Sequence, residues 1–163
     1  LYVDVGGGST EINLISEGEL KSSRSYNIGT VRMLSGMVKN EEKEQMHTDL
    51  EVLAKEYAPI HIIGSGGNIN KLFRLADKKD KKQLFLPLAS LQDIYRTLKD
   101  LPKEQRIKLF KLKPDRADVI VPAAEIFMEV ATRVQANGII VPTIGLSDGI
   151  IDSLYTKNRQ WMQ

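Results

Sequence analysis

The sequence predicts a mixed α/β domain whose sheet starts with a β-hairpin and continues through strands connected by helices. Residues 2–5 form a short apolar run, residues 11–16 alternate apolar with polar side chains, and glycines separate the two, as in paired strands. Two later apolar runs, residues 60–63 and 139–141, each follow a helical segment. A mixed sheet of this order, flanked by helices, is of ribonuclease H-like type and differs from a purely parallel, doubly wound sheet.

The first third of the chain predicts the hairpin, a further strand and two helices. Glu17 and Gly18 form a turn after the second strand, and residues 20–28 predict a third strand. Its Lys, Ser and Arg side chains are typical of an edge strand or a hydrated face. A short helix is expected from Gly29 onward, and a longer one over residues 41–57 repeats apolar side chains at helical spacing.

The middle of the chain predicts a second strand, glycine loop and helix. The strand at residues 60–63 ends in a loop at residues 64–68, which leads into a helix around Leu72. Ser90 is a suitable N-cap for the next helix. Pro102 begins another helix, at a position where its missing N–H is tolerated.

The last part of the chain predicts one more helix, a strand and a final helix. Helical spacing continues through Val134, and Pro122 either kinks this helix or marks its beginning. Asn137 and Gly138 fit its left-handed C-terminal end. The remaining elements are a strand at residues 139–141, a turn at residues 145–149 and a helix at residues 150–155.

Composition describes an ordinary globular domain. The chain has 163 residues, of which 42% are hydrophobic and 27% charged, and we expect one domain over residues 1–156 with a frayed tail over residues 157–163. No apolar run approaches membrane-spanning length, so no membrane association is expected. The absence of cysteine excludes disulfides and thiolate sites, and a cytoplasmic location is the default.

The charge pattern argues against nucleic acid as a partner. A formal net charge of +2 is too small to predict binding to a duplex. Lys78, Lys79, Lys81 and Lys82 form a local basic cluster, which is either a solvated loop or a contact for an acidic ligand.

The segment after the first strand has the composition of an anion-binding loop. Gly6, Gly7 and Gly8 lack a Cβ and permit positive φ, so that consecutive N–H groups can converge on an anion. Ser9 and Thr10 add hydroxyl groups beside them. The segment therefore predicts a phosphate-binding loop, although a plain flexible hairpin turn also fits the same residues.

Two carboxylates border this loop, Asp4 before it and Glu11 after it. A charged side chain inside an apolar strand costs free energy unless a partner offsets it, which makes Asp4 a candidate functional residue. Carboxylates at such a loop can hold Mg²⁺ or a bound water next to a phosphoryl group. The alternative is that Asp4 simply faces water.

A second candidate phosphate loop follows the strand at residues 60–63. It consists of Gly64, Ser65, Gly66, Gly67 and Asn68 at the start of a helix. Such a segment is compatible with a tight turn as well as with anion capture. Two such loops support each other if the fold brings both strand ends to one cleft.

At this point the residues resemble a known family. The run Asp-Val-Gly-Gly-Gly-Ser-Thr-Glu at residues 4–11 resembles the second phosphate loop of the exopolyphosphatase/guanosine pentaphosphate phosphohydrolase family. Residues 29–33, 63–68, 116–120 and 145–149 resemble later motifs of the family in the same order, so the resemblance spans nearly the whole chain. The family belongs to the actin-like ATPase superfamily, in which two related domains close around a phosphate-rich ligand, and this chain resembles the second domain.

The resemblance implies a magnesium-dependent hydrolase that releases the terminal phosphate of polyphosphate or guanosine pentaphosphate. In that scheme Asp4 and Glu11 position Mg²⁺ and the attacking water, and residues 6–10 and 64–68 bind phosphate oxygens. The implied partner is an upstream domain that carries the family's first phosphate loop and its proposed catalytic glutamate. The chain alone is then expected to be an excised piece and a poor catalyst, and a dimer of full-length chains is compatible with the family.

Two other functions fit the same residues. An ATP-dependent kinase of the superfamily would need an adenosine pocket near residues 64–68. A non-catalytic sensor of phosphate-rich alarmones would bind its ligand without releasing phosphate. Arg32 and Arg116 can each form a salt bridge within the domain or reach phosphate, since arginine serves both purposes. Of the two, we expect the structural role, the salt bridge, for both residues.

Overall fold

The computed structural model describes residues 1–142, which contain six strands and six helices. The strands are β1 (Tyr2–Val5), β2 (Thr10–Ser16), β3 (Glu19–Tyr26), β4 (Ile62–Ser65), β5 (Phe85–Pro87) and β6 (Gly138–Ile140). The helices are α1 (Thr30–Leu34), α2 (Asn40–Tyr57), α3 (Gly67–Leu75), α4 (Leu88–Lys99), α5 (Lys103–Phe110) and α6 (Pro114–Arg133). The predicted turn at residues 145–149, the helix at residues 150–155 and the tail lie outside the described residues.

The strands form one mixed sheet in the order β3-β2-β1-β4-β6-β5. The first three pair antiparallel, whereas β4 pairs parallel with both β1 and β6. The predicted hairpin-first, ribonuclease H-like sheet is therefore confirmed, as is the edge position of β3. Because β1 and β4 are parallel neighbours, the segments that follow them leave the sheet at the same edge.

The core lies between one face of the sheet and the helices, and α6 contacts all the other helices. Side chains alternate across each strand, so Val3, Val5, Ile12 and Ile62 face the core and their neighbours face the opposite side. Phe127 on α6 is 1% exposed. Burial of its apolar side chains keeps α6 helical across an interior proline.

Two predicted helix ends are wrong, and one of the two roles predicted for Pro122, the start of its helix, is excluded. Ser90 lies inside α4 and is buried, because the helix begins at Leu88 after Pro87. Pro122 neither begins nor ends α6, which starts at Pro114 and continues through it. The left-handed residue after α6 is Gln135, with φ 57°.

The sequence pattern gives Gly138 the wrong role, misses β5 and misplaces β4 by two residues. Gly138 is the first residue of β6, and a Cβ there would overlap the carbonyl oxygen of Leu86, so this glycine permits close packing of β5 against β6. The three-residue β5 has no alternation and was not predicted. β4 lies two residues later than predicted and includes Gly64 and Ser65, which leaves Gly66 as the only residue between β4 and α3.

The predicted first helix exists, but of its apolar side chains only Met33 packs against the core. Val31 and Leu34 are 54% and 55% exposed, and Met37 just beyond the helix is 63% exposed. The backbone of α1 is instead fixed by its contacts with the first glycine loop.

No helix in residues 1–142 combines the length and apolar character needed to cross a membrane.

Candidate functional site

The candidate site lies at the edge of the sheet where β1 and β4 end. Asp4 is paired with Ser65 across these parallel strands, so the two glycine segments begin side by side. We call residues 6–9, between β1 and β2, loop 1, and residues 65–68, from the end of β4 into α3, loop 2. The structure thus brings together the two segments that the sequence marked as candidate phosphate loops.

Asp4 occupies the middle of a row of three side chains. The residue opposite Asp4 on β2 is Glu11, and the residue opposite it on β4 is Ser65. Directly opposed residues share one face of a sheet. A Cβ at Gly66 would lie 3.4 Å from Asp4 Oδ1. The carboxylate of Asp4 therefore sits against the start of loop 2, beside a second carboxylate.

The Asp4 and Glu11 carboxylates form a pair of like charges. Asp4 is exposed to solvent at the sheet edge, and partial desolvation of its carboxyl, and secondarily the negative charge of Glu11, raise its pKa above the ordinary value. Glu11 is held in place because Ser9 Oγ and Ser25 Oγ both donate to its Oε1, at 2.7 and 3.0 Å. One carboxylate is thus fixed, and the other is easier to protonate than a solvated aspartate.

The carbonyl groups of loop 1 are held by α1. Thr30 N donates to Gly6 O at 3.0 Å, and Val31 N and Arg32 N both donate to Gly7 O, at 3.0 and 3.2 Å. These are the first N–H groups of a helix, which have no partners inside the helix itself. The first turn of α1 and the glycines of loop 1 therefore satisfy each other.

This arrangement determines where the N–H groups of loop 1 point. The C=O and N–H of a planar trans peptide point in opposite directions, so the N–H groups of Gly7 and Gly8 point away from α1. The carbonyl of Gly8 accepts Arg32 Nε at 2.8 Å, which directs the N–H of Ser9 the same way. None of these three N–H groups has an acceptor within the described residues. They are available to an anion.

Two groups predicted to bind phosphate, the hydroxyl of Thr10 and the N–H of Gly6, form hydrogen bonds within the domain instead. The hydroxyl of Thr10 is fully buried and donates to Ile28 O at 2.6 Å, so it does not face the site. The N–H of Gly6 donates to Ser9 O and closes the turn of loop 1. The expectation that both hydroxyls grip an oxyanion is wrong for Thr10, because the inward face of β2 buries it.

The second glycine segment, from Gly64 in β4 to Gly67 in loop 2, contains three glycines with different functions. Gly64 is buried within β4, where a Cβ would press on Phe127 and Ile69, so packing explains this glycine. Gly66 has φ 113°, a conformation that side chains disfavour. Gly67 leaves room for the guanidinium of Arg116, whose nitrogens would lie 2.5 and 3.1 Å from a Cβ there.

Arg116, near the start of α6, is joined to loop 2. Its Nη1 donates to Asn68 Oδ1 at 2.6 Å, and Asn68 itself is 8% exposed. Within residues 1–142, neither Arg116 nor Arg32 has a carboxylate within 4 Å. The expected salt bridges are therefore not found there, and each arginine instead contacts one glycine segment. The sequence signal that Arg32 and Arg116 belong to the site is their position in the motifs at residues 29–33 and 116–120.

The residues present are compatible with Mg²⁺. Within the described residues, no group of three or more His, Cys, Asp or Glu side chains is placed to hold a metal. Mg²⁺ does not need one, because it keeps several waters and is commonly held by one or two carboxylates together with substrate phosphates. Asp4 and Glu11 form such a pair, and a cation between them would offset the negative charge that, after desolvation, raises the pKa of Asp4.

Comparison with known proteins gives one consistent result. The profile of the Ppx/GppA phosphatase family matches residues 1–158. Exopolyphosphatase 2 of Mycobacterium tuberculosis is 29% identical, over 94% of this chain and 55% of its own length. The chain thus spans about half the length of the curated relatives it matches.

Solved structures agree with the sequence match. The Ppx/GppA phosphatase of Aquifex aeolicus, in its type II variant, is 28% identical with a TM-score of 0.69, over 93% of this chain and 55% of that one. An exopolyphosphatase from Cytophaga hutchinsonii, 23% identical, has a TM-score of 0.70 over 88% of this chain and 52% of its own, which supports the fold. The predicted actin-like ATPase fold is confirmed by these neighbours.

Gly29 is expected to be intolerant of any side chain. A Cβ there would overlap the backbone carbonyl of Gly7, so Gly29→Ala must push loop 1 away from α1. We expect the free energy of unfolding to fall by about 1–3 kcal/mol, as for other overpacked sites, measured by urea denaturation. Gly8→Ala is the control, because its Cβ would meet nothing closer than 3.9 Å and should change stability by about 1 kcal/mol or less. Equal losses in the two variants would contradict the close contact.

The pKa of Asp4 is expected to fall toward its ordinary value of 3.8 in Glu11→Gln, because one of the two causes of the shift is removed. A carboxyl with a raised folded-state pKa lowers stability at pH values above that pKa, and the penalty disappears below the ordinary pKa. Asp4→Asn should therefore raise the free energy of unfolding at neutral pH and not at low pH. Carboxyl ¹³C titration without metal tests the first expectation, and an unchanged Asp4 pKa would refute the coupling.

Proposed function

The chain belongs to the Ppx/GppA phosphatase family, and we propose that its site binds the terminal phosphoryl group of polyphosphate or guanosine pentaphosphate for hydrolysis. One observation supports this above all others. Three consecutive N–H groups of loop 1, from Gly7, Gly8 and Ser9, have no acceptor in the described residues, and this loop connects the strands that carry Asp4 and Glu11. Unpaired donors next to a carboxylate pair match a phosphoryl group bound together with a metal and a water.

Phosphate binding in this proposal relies on fixed backbone donors. The N–H groups of loop 1 donate to the phosphoryl oxygens, and the N-terminus of α3 adds the positive end of a helix dipole from loop 2. Arg116, held on loop 2 by Asn68, supplies a positive charge at the start of α3. Because these groups are already oriented, little reorganisation is needed as charge develops on the phosphoryl oxygens.

The carboxylates have separate roles in the reaction that we propose. Asp4 accepts a proton from the attacking water, because it lies opposite the fixed carboxylate of Glu11 and against the start of loop 2. The water oxygen bonds to phosphorus, and the bridging oxygen leaves with the shortened chain. Glu11, fixed by Ser9 and Ser25, orients the water. Mg²⁺ held by Asp4 and Glu11 would offset the negative charge of the phosphoryl oxygens.

A full cleft needs a second wall, which we assign to an upstream domain of the full-length protein. The relatives that match this chain are nearly twice as long. Loop 1 and loop 2 lie on one edge of the sheet, so they form one side of a phosphate site. We therefore expect efficient turnover only in the full-length protein.

Conservative changes to the two carboxylates test the proposal. In the full-length protein, Asp4→Asn and Glu11→Gln are each expected to lower orthophosphate release from polyphosphate by about 10²–10⁴-fold, the usual contribution of a positioned acid or base. Release is measured colorimetrically, with circular dichroism to verify folding. Asp93→Asn, on the exposed surface of α4, is the control and should retain wild-type activity.

The outcomes separate the alternatives. Wild-type turnover in both carboxylate variants would refute the assigned roles. Tight binding of polyphosphate without any phosphate release by the full-length wild type would favour a sensor. Turnover that requires a nucleotide and a second acceptor would favour a kinase.

A further inference from the structure

We propose that Arg32 is a positioning residue that holds the peptide between Gly8 and Ser9 with its N–H directed at the bound phosphoryl group. The proposal rests on the anion-binding function assigned to loop 1. It concerns a residue whose charge is not used in the mechanism above. It also explains why an arginine on an exposed helix makes its side-chain contact with a backbone carbonyl.

The contacts between α1 and loop 1 are of two kinds. The carbonyls of Gly6 and Gly7 accept backbone N–H groups of α1, which almost any substitution would preserve. Among residues 1–142, the donor to the carbonyl of Gly8 is the Nε of Arg32, at 2.8 Å. Of the three peptides that present N–H groups to the site, one therefore depends on a side chain.

That peptide has both the freedom and the space to rotate. Gly8 lacks a Cβ, and the nearest atom to a Cβ placed there would be a terminal nitrogen of Arg32, at 3.9 Å. Glycine also populates regions of φ that other residues avoid. Without the donor on Arg32, the Gly8 carbonyl is free to turn toward the site, where its oxygen would oppose an anion instead of binding it.

The position of the donor matters more than the charge of the side chain. Within residues 1–142, no carboxylate lies within 4 Å of the Arg32 guanidinium, so its contact in the structure is the loop. The amide nitrogen of a glutamine occupies the same place along the side chain as the arginine Nε, whereas lysine has a methylene there. Glutamine thus keeps a donor without charge, and lysine keeps charge without that donor.

Two variants of the full-length protein therefore separate positioning from charge. Arg32→Gln should bind inorganic tripolyphosphate within a few fold of the wild type, whereas Arg32→Lys should bind on the order of tenfold more weakly, the usual effect of losing one hydrogen bond to a charged group. Arg96→Lys, at an exposed position on α4, is the matched control and should bind like the wild type.

The orientation of the peptide has its own measurement. With ¹⁵N-serine labelling, the Ser9 amide should shift on addition of tripolyphosphate in the wild type and in Arg32→Gln, and much less in Arg32→Lys. In hydrolysis, Arg32→Lys should lower kcat by about 10²-fold, as for the loss of an oxyanion donor, with the melting temperature unchanged.

The opposite order overturns the inference. If Arg32→Lys behaves like the wild type while Arg32→Gln loses affinity, the residue acts through its charge and not through the Gly8 carbonyl. If wild-type protein binds tripolyphosphate without a shift of Ser9, the N–H is not a ligand and the positioning role is refuted while phosphate binding stands. If the wild type binds no tripolyphosphate at all, both this inference and the proposed function are refuted.

Discussion

The hydrogen bonding between loop 1 and the first turn of α1 is the constraint on which the rest of the site depends. Both segments have backbone groups that their own geometry leaves unpaired, the carbonyls of Gly6 and Gly7 in one and the leading N–H groups of the helix in the other. Hydrogen bonds between these carbonyls and N–H groups remove the free-energy cost of leaving them unpaired in both segments. Because each peptide is planar, this pairing also fixes the opposite edge of the loop as a row of donors. The same pairing that stabilises the loop thereby orients the donors that we propose as an anion site.

The same region shows that function and stability are in tension. Asp4 and Glu11 lie directly opposite each other, although like charges in that register are unfavourable. Gly66 adopts a positive φ next to Asp4. The charge pair costs stability locally, glycine is needed at position 66 to adopt this φ without strain, and the buried side chains of α6 and the sheet supply the compensating stability. Such local violations of good packing rules are typical of functional sites.

The sequence was sufficient for the hairpin, the sheet type and the two glycine segments, because period-2 patterns and glycine runs reflect local backbone preferences. It was insufficient where long-range contacts decide. Gly138 was interpreted as a helix end, yet its role is close packing against β5, a strand too short to have a pattern. Thr10 was counted among the ligands, although the face of β2 buries its hydroxyl. Arg32 and Arg116 were given salt bridges, since nothing local shows that a guanidinium will meet a backbone carbonyl or an amide.

The central claim is that the N–H groups of Gly7, Gly8 and Ser9 are the donors that grip a phosphoryl group, with Asp4 beside it. A crystal structure of the full-length protein with bound inorganic tripolyphosphate tests this most directly. We expect a terminal phosphoryl group within hydrogen-bonding distance of all three nitrogens and adjacent to the Asp4 carboxylate. Tripolyphosphate bound at another surface, or a loop 1 whose carbonyls face the ligand, would contradict it.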